Sequence, residues 1–227
     1  MLFDLRSRGR RRTVRVVYGF LAIIMVVGLV GLGIGTGSTG GILNAGGGGS
    51  GGGGGNQLAD QQLKHALAAV KKHPTAGNWA NLLQARWSAA GSGSNFDSAT
   101  STYTAGGKKQ LQYGADAWQR FLKLASPQQQ TGSTFLQTAF LAAGIYQNLG
   151  QWSNEGQAWN LAVQATSGAQ RLKPYLCLAY SAYAAKQTTK GNLAAAQAVK
   201  LLPKLDRLSQ KLALKSASTS PTVAEQG

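Results

Sequence analysis

The side chains able to do chemistry are few and scattered. His65 and His73 lie eight positions apart, near two helical turns, so they can share a face, yet no Asp, Glu or Cys is spaced to complete a metal site with them. Asp60, Asp97, Asp116, Glu155, Asp206 and Glu225 are isolated from one another, and no pair suggests a two-carboxylate hydrolase. Serines are plentiful, but no G-x-S-x-G elbow occurs outside low-complexity sequence, and Gly91-Ser92-Gly93-Ser94 reads as loop. The run Gly46 to Gly55 lacks the following lysine and the preceding strand of a phosphate-binding loop. Cys177, the single cysteine, cannot form an internal disulfide; between Leu176 and Leu178 it reads as a small buried apolar residue. The expectation is a non-enzymatic chain with no catalytic group, metal or cofactor.

The elements that would position these residues are helical. From Gln57 to about Lys215, alanine, leucine and glutamine abound and no period-two segment is long enough for a strand. The periodicity predicts helices over 57–72, 75–90, 106–125, 132–149, 153–166, 170–186 and 191–214. Pro74, Pro127, Pro174 and Pro203 mark helix boundaries. Gly91 to Thr104, rich in glycine and serine, reads as a loop with one short turn around Phe96. Residues 216–227 read as a disordered tail. The predicted fold class is all-α.

Ala117-Trp118 and Ala158-Trp159 recur forty-one residues apart, with Gly114 and Gly156 shortly before them, which predicts repeated helix pairs with an insertion. The clearest unit runs from Leu136 to Gln164. Counted from Leu136, Ala139, Ala142, Ala143, Tyr146, Gly150, Trp152, Trp159 and Ala162 fall where a tetratricopeptide repeat places its small, aromatic and turn residues, and the unit resembles that family. Glu155 departs from the resemblance, since the family usually has alanine there. Trp79, Leu82 and Leu83 begin a first unit, swollen by the 91–104 insertion before the helix of Trp118 and Phe121. Leu176, Ala179, Tyr180, Tyr183, Gly191, Ala194, Ala198 and Pro203 supply a third, with a lengthened turn around Thr188.

The resemblance implies an α-solenoid of TPR-like helix pairs over residues 57–215, with the first helix of each pair lining a concave face. That face would present Gln84 and Trp87 from the first pair and Phe140, Gln147 and Asn148 from the second, amide and aromatic groups suited to an extended peptide. Taken singly, Trp87 and Phe140 each read first as ordinary packing between repeats. The basic residues of the family's carboxylate clamp are missing from most such positions, which argues against capture of an acidic C-terminus.

Upstream, residues 14–35 are apolar except for Arg15, and Val16 to Ile34 would rise ~28 Å as a helix, close to the ~30 Å of a bilayer core. The run exceeds the roughly 7–15 residues of a signal-peptide core and no clear cleavage site follows, so an uncleaved single transmembrane helix is expected. Arg6, Arg8, Arg10, Arg11, Arg12 and Arg15 precede the core of the span, and the next basic residue is Lys64; residues 1–13 should therefore be a cytoplasmic tip and the rest should lie outside. Gly31 and Gly35 form a G-x-x-x-G pair compatible with a weak homodimer. Residues 36–56 are a glycine-rich flexible coil; from Gly35 to Gly55 thirteen of twenty-one residues are glycine, giving a reach of roughly 25 Å. The layout resembles bacterial inner-membrane proteins whose tetratricopeptide domains assist secretion or envelope assembly. It implies a scaffold or chaperone-type adaptor for a protein or peptide at the outer face of the plasma membrane. Of the 23 Lys and Arg and 7 Asp and Glu, 17 and 6 follow Gly35, leaving +11 outside. That excess keeps an anionic envelope polymer or lipid headgroups as an alternative partner, while the scattered lysines and the external location make nucleic acid the least favoured one.

Overall fold

The computed structural model describes residues 54–225. The 1–13 tip, the 14–35 apolar run with Gly31 and Gly35, and nearly all of the 36–56 linker lie outside the described residues. Among the described residues no helix is long and apolar enough to cross a membrane.

The described chain is all-α apart from one small ribbon. It runs α1 (Gly54–Lys72), α2 (Ala76–Ala90), α3 (Ala105–Leu124), α4 (Ser133–Asn148), α5 (Trp152–Ala165), α6 (Leu172–Ala184), α7 (Thr188–Leu201), α8 (Arg207–Thr219) and α9 (Pro221–Glu225). Local chemistry sets the boundaries. Pro74 follows the end of α1, and the Thr75 hydroxyl caps α2 by accepting the Asn78 N–H at 3.3 Å. Thr104 caps α3 in the same way through Gly107 N–H, at 3.4 Å. The insertion before α3 is more ordered than a loop. A 3-10 turn at Gly93–Asn95 leads into β1 (Phe96–Asp97), which pairs antiparallel with β2 (Thr102–Tyr103), Phe96 opposite Tyr103. The ribbon is fastened to α2 by aromatic contact, Tyr103 lying 6.3 Å from Trp87 and 5.2 Å from Phe96.

Helices pack as consecutive pairs α2/α3, α4/α5 and α6/α7 around one apolar core that extends from Ala66 to Ala224. Alanine dominates the contact faces, and the bulk is concentrated in a few rings. Trp118 of α3 stacks on Phe121 at 5.4 Å and meets Phe135 of α4 at 6.0 Å, joining the first pair to the second.

The repeat is legible in backbone geometry. In the turn between α4 and α5, Gly150 has φ +66° and Gln151 N–H donates to Tyr146 O at 2.9 Å. Thirty-six residues later Lys186 has φ +60° and Gln187 N–H donates to Ala182 O at 2.7 Å. The exits of the second helices also match. Gln130 Nε2 donates to Ala125 O at 3.0 Å, Arg171 Nε to Thr166 O at 2.7 Å, and Arg207 Nε to Leu202 O at 3.0 Å, each across five residues. One side chain five residues downstream thus closes each second helix, satisfying a carbonyl that its own helix leaves open.

Three sequence expectations need correction. The turn around Thr188 is not lengthened: α6 and α7 are joined by the same three-residue connection as α4 and α5, because Ala182 rather than Tyr183 takes the place of Tyr146. The block 191–214 is two helices, since Pro203 lies in the break that separates α7 from α8. Residues 216–227 are not a disordered tail throughout: α8 continues to Thr219, α9 follows, and Ala217 and Ala224 are buried. α9 packs on both α6 and α8, which offsets the cost of ordering it.

Candidate functional site

A cavity of about 290 Å³ opens between the first helices of the second and third pairs, α4 and α6, with the second helix α5 contributing to its lining. From α4 come Phe140, Gly144 and Gln147; from α5 Trp152, Glu155 and Trp159; from α6 Lys173, Cys177, Tyr180 and Ser181. Ala224 of α9 borders it as well, so the last described helix lies against the rim.

Spacing explains why these side chains converge. Phe140, Gly144 and Gln147 recur at four and three residues along α4, as do Trp152, Glu155 and Trp159 along α5 at three and four, so each set forms one stripe. Phe140 and Trp159 meet across the helix pair at 5.0 Å in a tilted arrangement. The Lys173 ammonium lies 5.5 Å above the Phe140 ring, a cation–π geometry.

Glu155 is the unusual member. It is 6 % exposed, and its Oε1 accepts the Trp159 indole N–H at 3.0 Å. Its Oε2 is buried with no hydrogen-bond partner. Burial pushes its carboxyl up to about 7, against the opposing pull of the Trp159 hydrogen bond. Burial likewise pushes the Cys177 thiol up to about 11, although Lys173 pulls it down. Cys177 is therefore held as a thiol and is a poor nucleophile. Among the described residues no group of three or more His, Cys, Asp or Glu side chains could hold a metal ion.

Of the residues expected on the concave face, Phe140 and Gln147 line this cavity and lie together. Trp87 stands at its flank: a Cβ placed on Gly144 would lie 3.4 Å from the Trp87 ring. Asn148 lies outside the lining and spends its amide on Gly144 O, at 2.8 Å. Gln84 is half-buried on α2 and does not reach the cavity. Sequence reasoning missed Trp152, Glu155, Trp159, Lys173, Cys177 and Tyr180 as site residues. The signal for Glu155 was visible, as the one acidic residue at a place where the resembled repeat has alanine.

A second, more open groove of about 500 Å³ lies between α7 and α8. Lys200, Arg207, Lys211 and Lys215 line it, with no carboxylate among the lining residues. Arg207 is already engaged, its guanidinium donating to Leu202 O at 3.0 Å and Lys200 O at 3.2 Å, so the lysines carry the groove's available charge.

No family model, curated protein or solved structure matches this chain.

Proposed function

We propose that this chain is a non-enzymatic, membrane-tethered scaffold or chaperone-type adaptor whose TPR-like helix pairs bind a protein or peptide segment at the outer face of the plasma membrane. The cavity between α4 and α6 carries the reading. It opens between the first helices of neighbouring pairs, and it joins π faces that cover apolar side chains to Gln147, whose amide is exposed to hydrogen-bond a peptide backbone. The tether comes from the sequence of residues 14–56, which would hold a weak binder near membrane partners and raise its effective concentration. A photo-crosslinking amino acid at Gln147 of the full chain, compared with one at the exposed Gln164 outside the cavity, tests the proposal in intact membranes. Discrete protein adducts at 147 that are absent at 164, and that fade with Trp152→Ala, support it. Equal labelling at both positions, or none at 147, overturns it.

The lysine groove between α7 and α8 favours a second reading, an adaptor for anionic polymer or lipid headgroups. Cosedimentation with anionic vesicles that collapses at high salt, and that Lys211→Glu with Lys215→Glu abolishes, would identify it.

A further inference from the structure

Glu155 occupies a place that the other two helix pairs give to glycine. Counting by the structural repeat, the equivalent positions are Gly114, forty-one residues earlier, and Gly191, thirty-six later. Both glycines serve close packing. A Cβ on Gly114 would sit 2.7 Å from Ile145 Cδ1, and one on Gly191 would overlap the Tyr183 ring. Only the middle pair puts a long side chain there, and that chain is a carboxylate with one oxygen unpaired in a lined cavity. A packing role would be met by alanine or glycine, and a buried polar atom without a partner costs roughly 1–3 kcal/mol. The chain therefore carries a local defect, in the place where a ligand would remove it.

The rings around Glu155 specify the partner's sign. Phe140, Trp152, Trp159 and Tyr180 surround the opening, and the Lys173 ammonium over Phe140 shows that this wall already accommodates a cation. An alcohol O–H or a neutral amide N–H could donate to Glu155 but would lack a cation's attraction to the ring faces, and an anion would be repelled by the carboxylate. The volume, about 290 Å³, falls just below the ~300–1,000 Å³ usual for ligand pockets, which suits one side chain rather than a larger molecule.

We propose that the cavity receives a single cationic side chain of the bound segment, a lysine ammonium or arginine guanidinium, with Glu155 as its counter-ion and the aromatic rings as its walls. This rests on the peptide-binding reading and names the group that such a peptide must supply. Trp159 provides a local reporter, because its indole N–H bonds the same carboxylate.

The test uses the full chain in non-ionic detergent, titrated with n-butylammonium and n-butylguanidinium, with neutral n-pentanol and pentanamide, and with pentanoate. The readout is the indole 1H–15N resonance that disappears in Trp159→Phe. The cations shift it saturably and the neutral and anionic isosteres do not; Glu155→Gln weakens the cation response at least about tenfold. Equal binding of n-pentanol, undiminished binding in Glu155→Gln, or no cation response overturns the proposal. The comparison among isosteres in the unmutated chain needs no variant to fold. Adducts at position 147 without a cation response would refute the cavity's selectivity while leaving the peptide-binding reading intact. A cation response without such adducts supports the selectivity and removes the peptide-binding reading.

Discussion

Replacing Glu155 by Gln should change how stability depends on pH, not merely how large it is. Burial pushes the folded carboxyl up to about 7, against 4.5 for an unperturbed glutamate. Between those values the folded chain holds a proton that the unfolded chain has released, so raising the pH removes stability through that window and the loss levels off above about 7. The rise from 4.5 to about 7 corresponds to roughly 3 kcal/mol. The groups facing Glu155 do not alter the sign: α4 contributes Phe140, Gly144 and Gln147, α6 contributes Lys173, Cys177 and Tyr180, Lys190 of α7 approaches Gly156, and α9 offers Ala224 beside exposed Glu225. Glutamine mimics the neutral acid, so Glu155→Gln and the unmutated chain should be nearly equally stable at pH 4.5, with the variant gaining roughly 3 kcal/mol by pH 8. Urea unfolding followed by far-UV circular dichroism at a series of pH values measures this, with an expected midpoint separation of about 1.5 M for a slope of about 2 kcal/mol/M. Guanidinium is unsuitable as denaturant, because it is itself a cation of the kind the cavity is proposed to take. Parallel curves for the two proteins would refute the reasoning, since they would mean that the folded chain leaves this carboxyl at its ordinary value.

Four further substitutions probe the repeat itself. Gly191→Ala drives a methyl into the Tyr183 ring and threatens its 2.9 Å hydrogen bond to Asn192, so urea unfolding should show a loss of about 1–3 kcal/mol. Lys186→Gly should stabilise by about 0.5–1 kcal/mol, because Lys186 holds the left-handed conformation that its counterpart Gly150 adopts without a Cβ penalty. Arg171→Ala and Arg207→Ala should each cost about 1 kcal/mol through the carbonyls of Thr166 and Leu202, and the double variant should show near-additive losses, since the two lie in separate joints.

Helix existence was legible because the prolines punctuate a 3.6-residue pattern, and the forty-one-residue recurrence of Ala-Trp did locate a real structural period, whereas the Thr75 and Thr104 caps emerged from the structure. The joint at 202–206 was missed because leucines flank Pro203 on both sides and carry the apolar pattern across it. The ordered C-terminus was missed for a different reason: Ala217 and Ala224 bury little area each, so α9 is specified by contact with α6 and α8 more than by any local signal. At the site, Phe140 and Gln147 could be read from the face of one helix. Trp152, Glu155 and Trp159 belong to the second helix of the pair, and only the gap between α4 and α6 brings them to the opening. Tyr180 and Cys177 depended on the register of α6, in which Ala182 takes the place of Tyr146 and no aromatic residue marks that position.

The charge of the domain constrains what kind of cation can reach Glu155. Every charged residue after Gly35 lies among the described residues, 17 basic and 6 acidic, and the net +11 repels any approaching polycation. The attraction of one buried carboxylate acts over a few ångströms, whereas the repulsion extends to a Debye length of ~10 Å at 0.1 M salt. A suitable segment therefore carries an isolated basic residue among apolar ones, and screening helps it. Raising salt from about 0.05 to about 0.3 M should leave n-butylammonium affinity unchanged or tighter, while the lysine groove between α7 and α8 should lose anionic vesicles over the same range. Weakening of both by salt in the same direction would mean that the probe sits on the surface and not against Glu155.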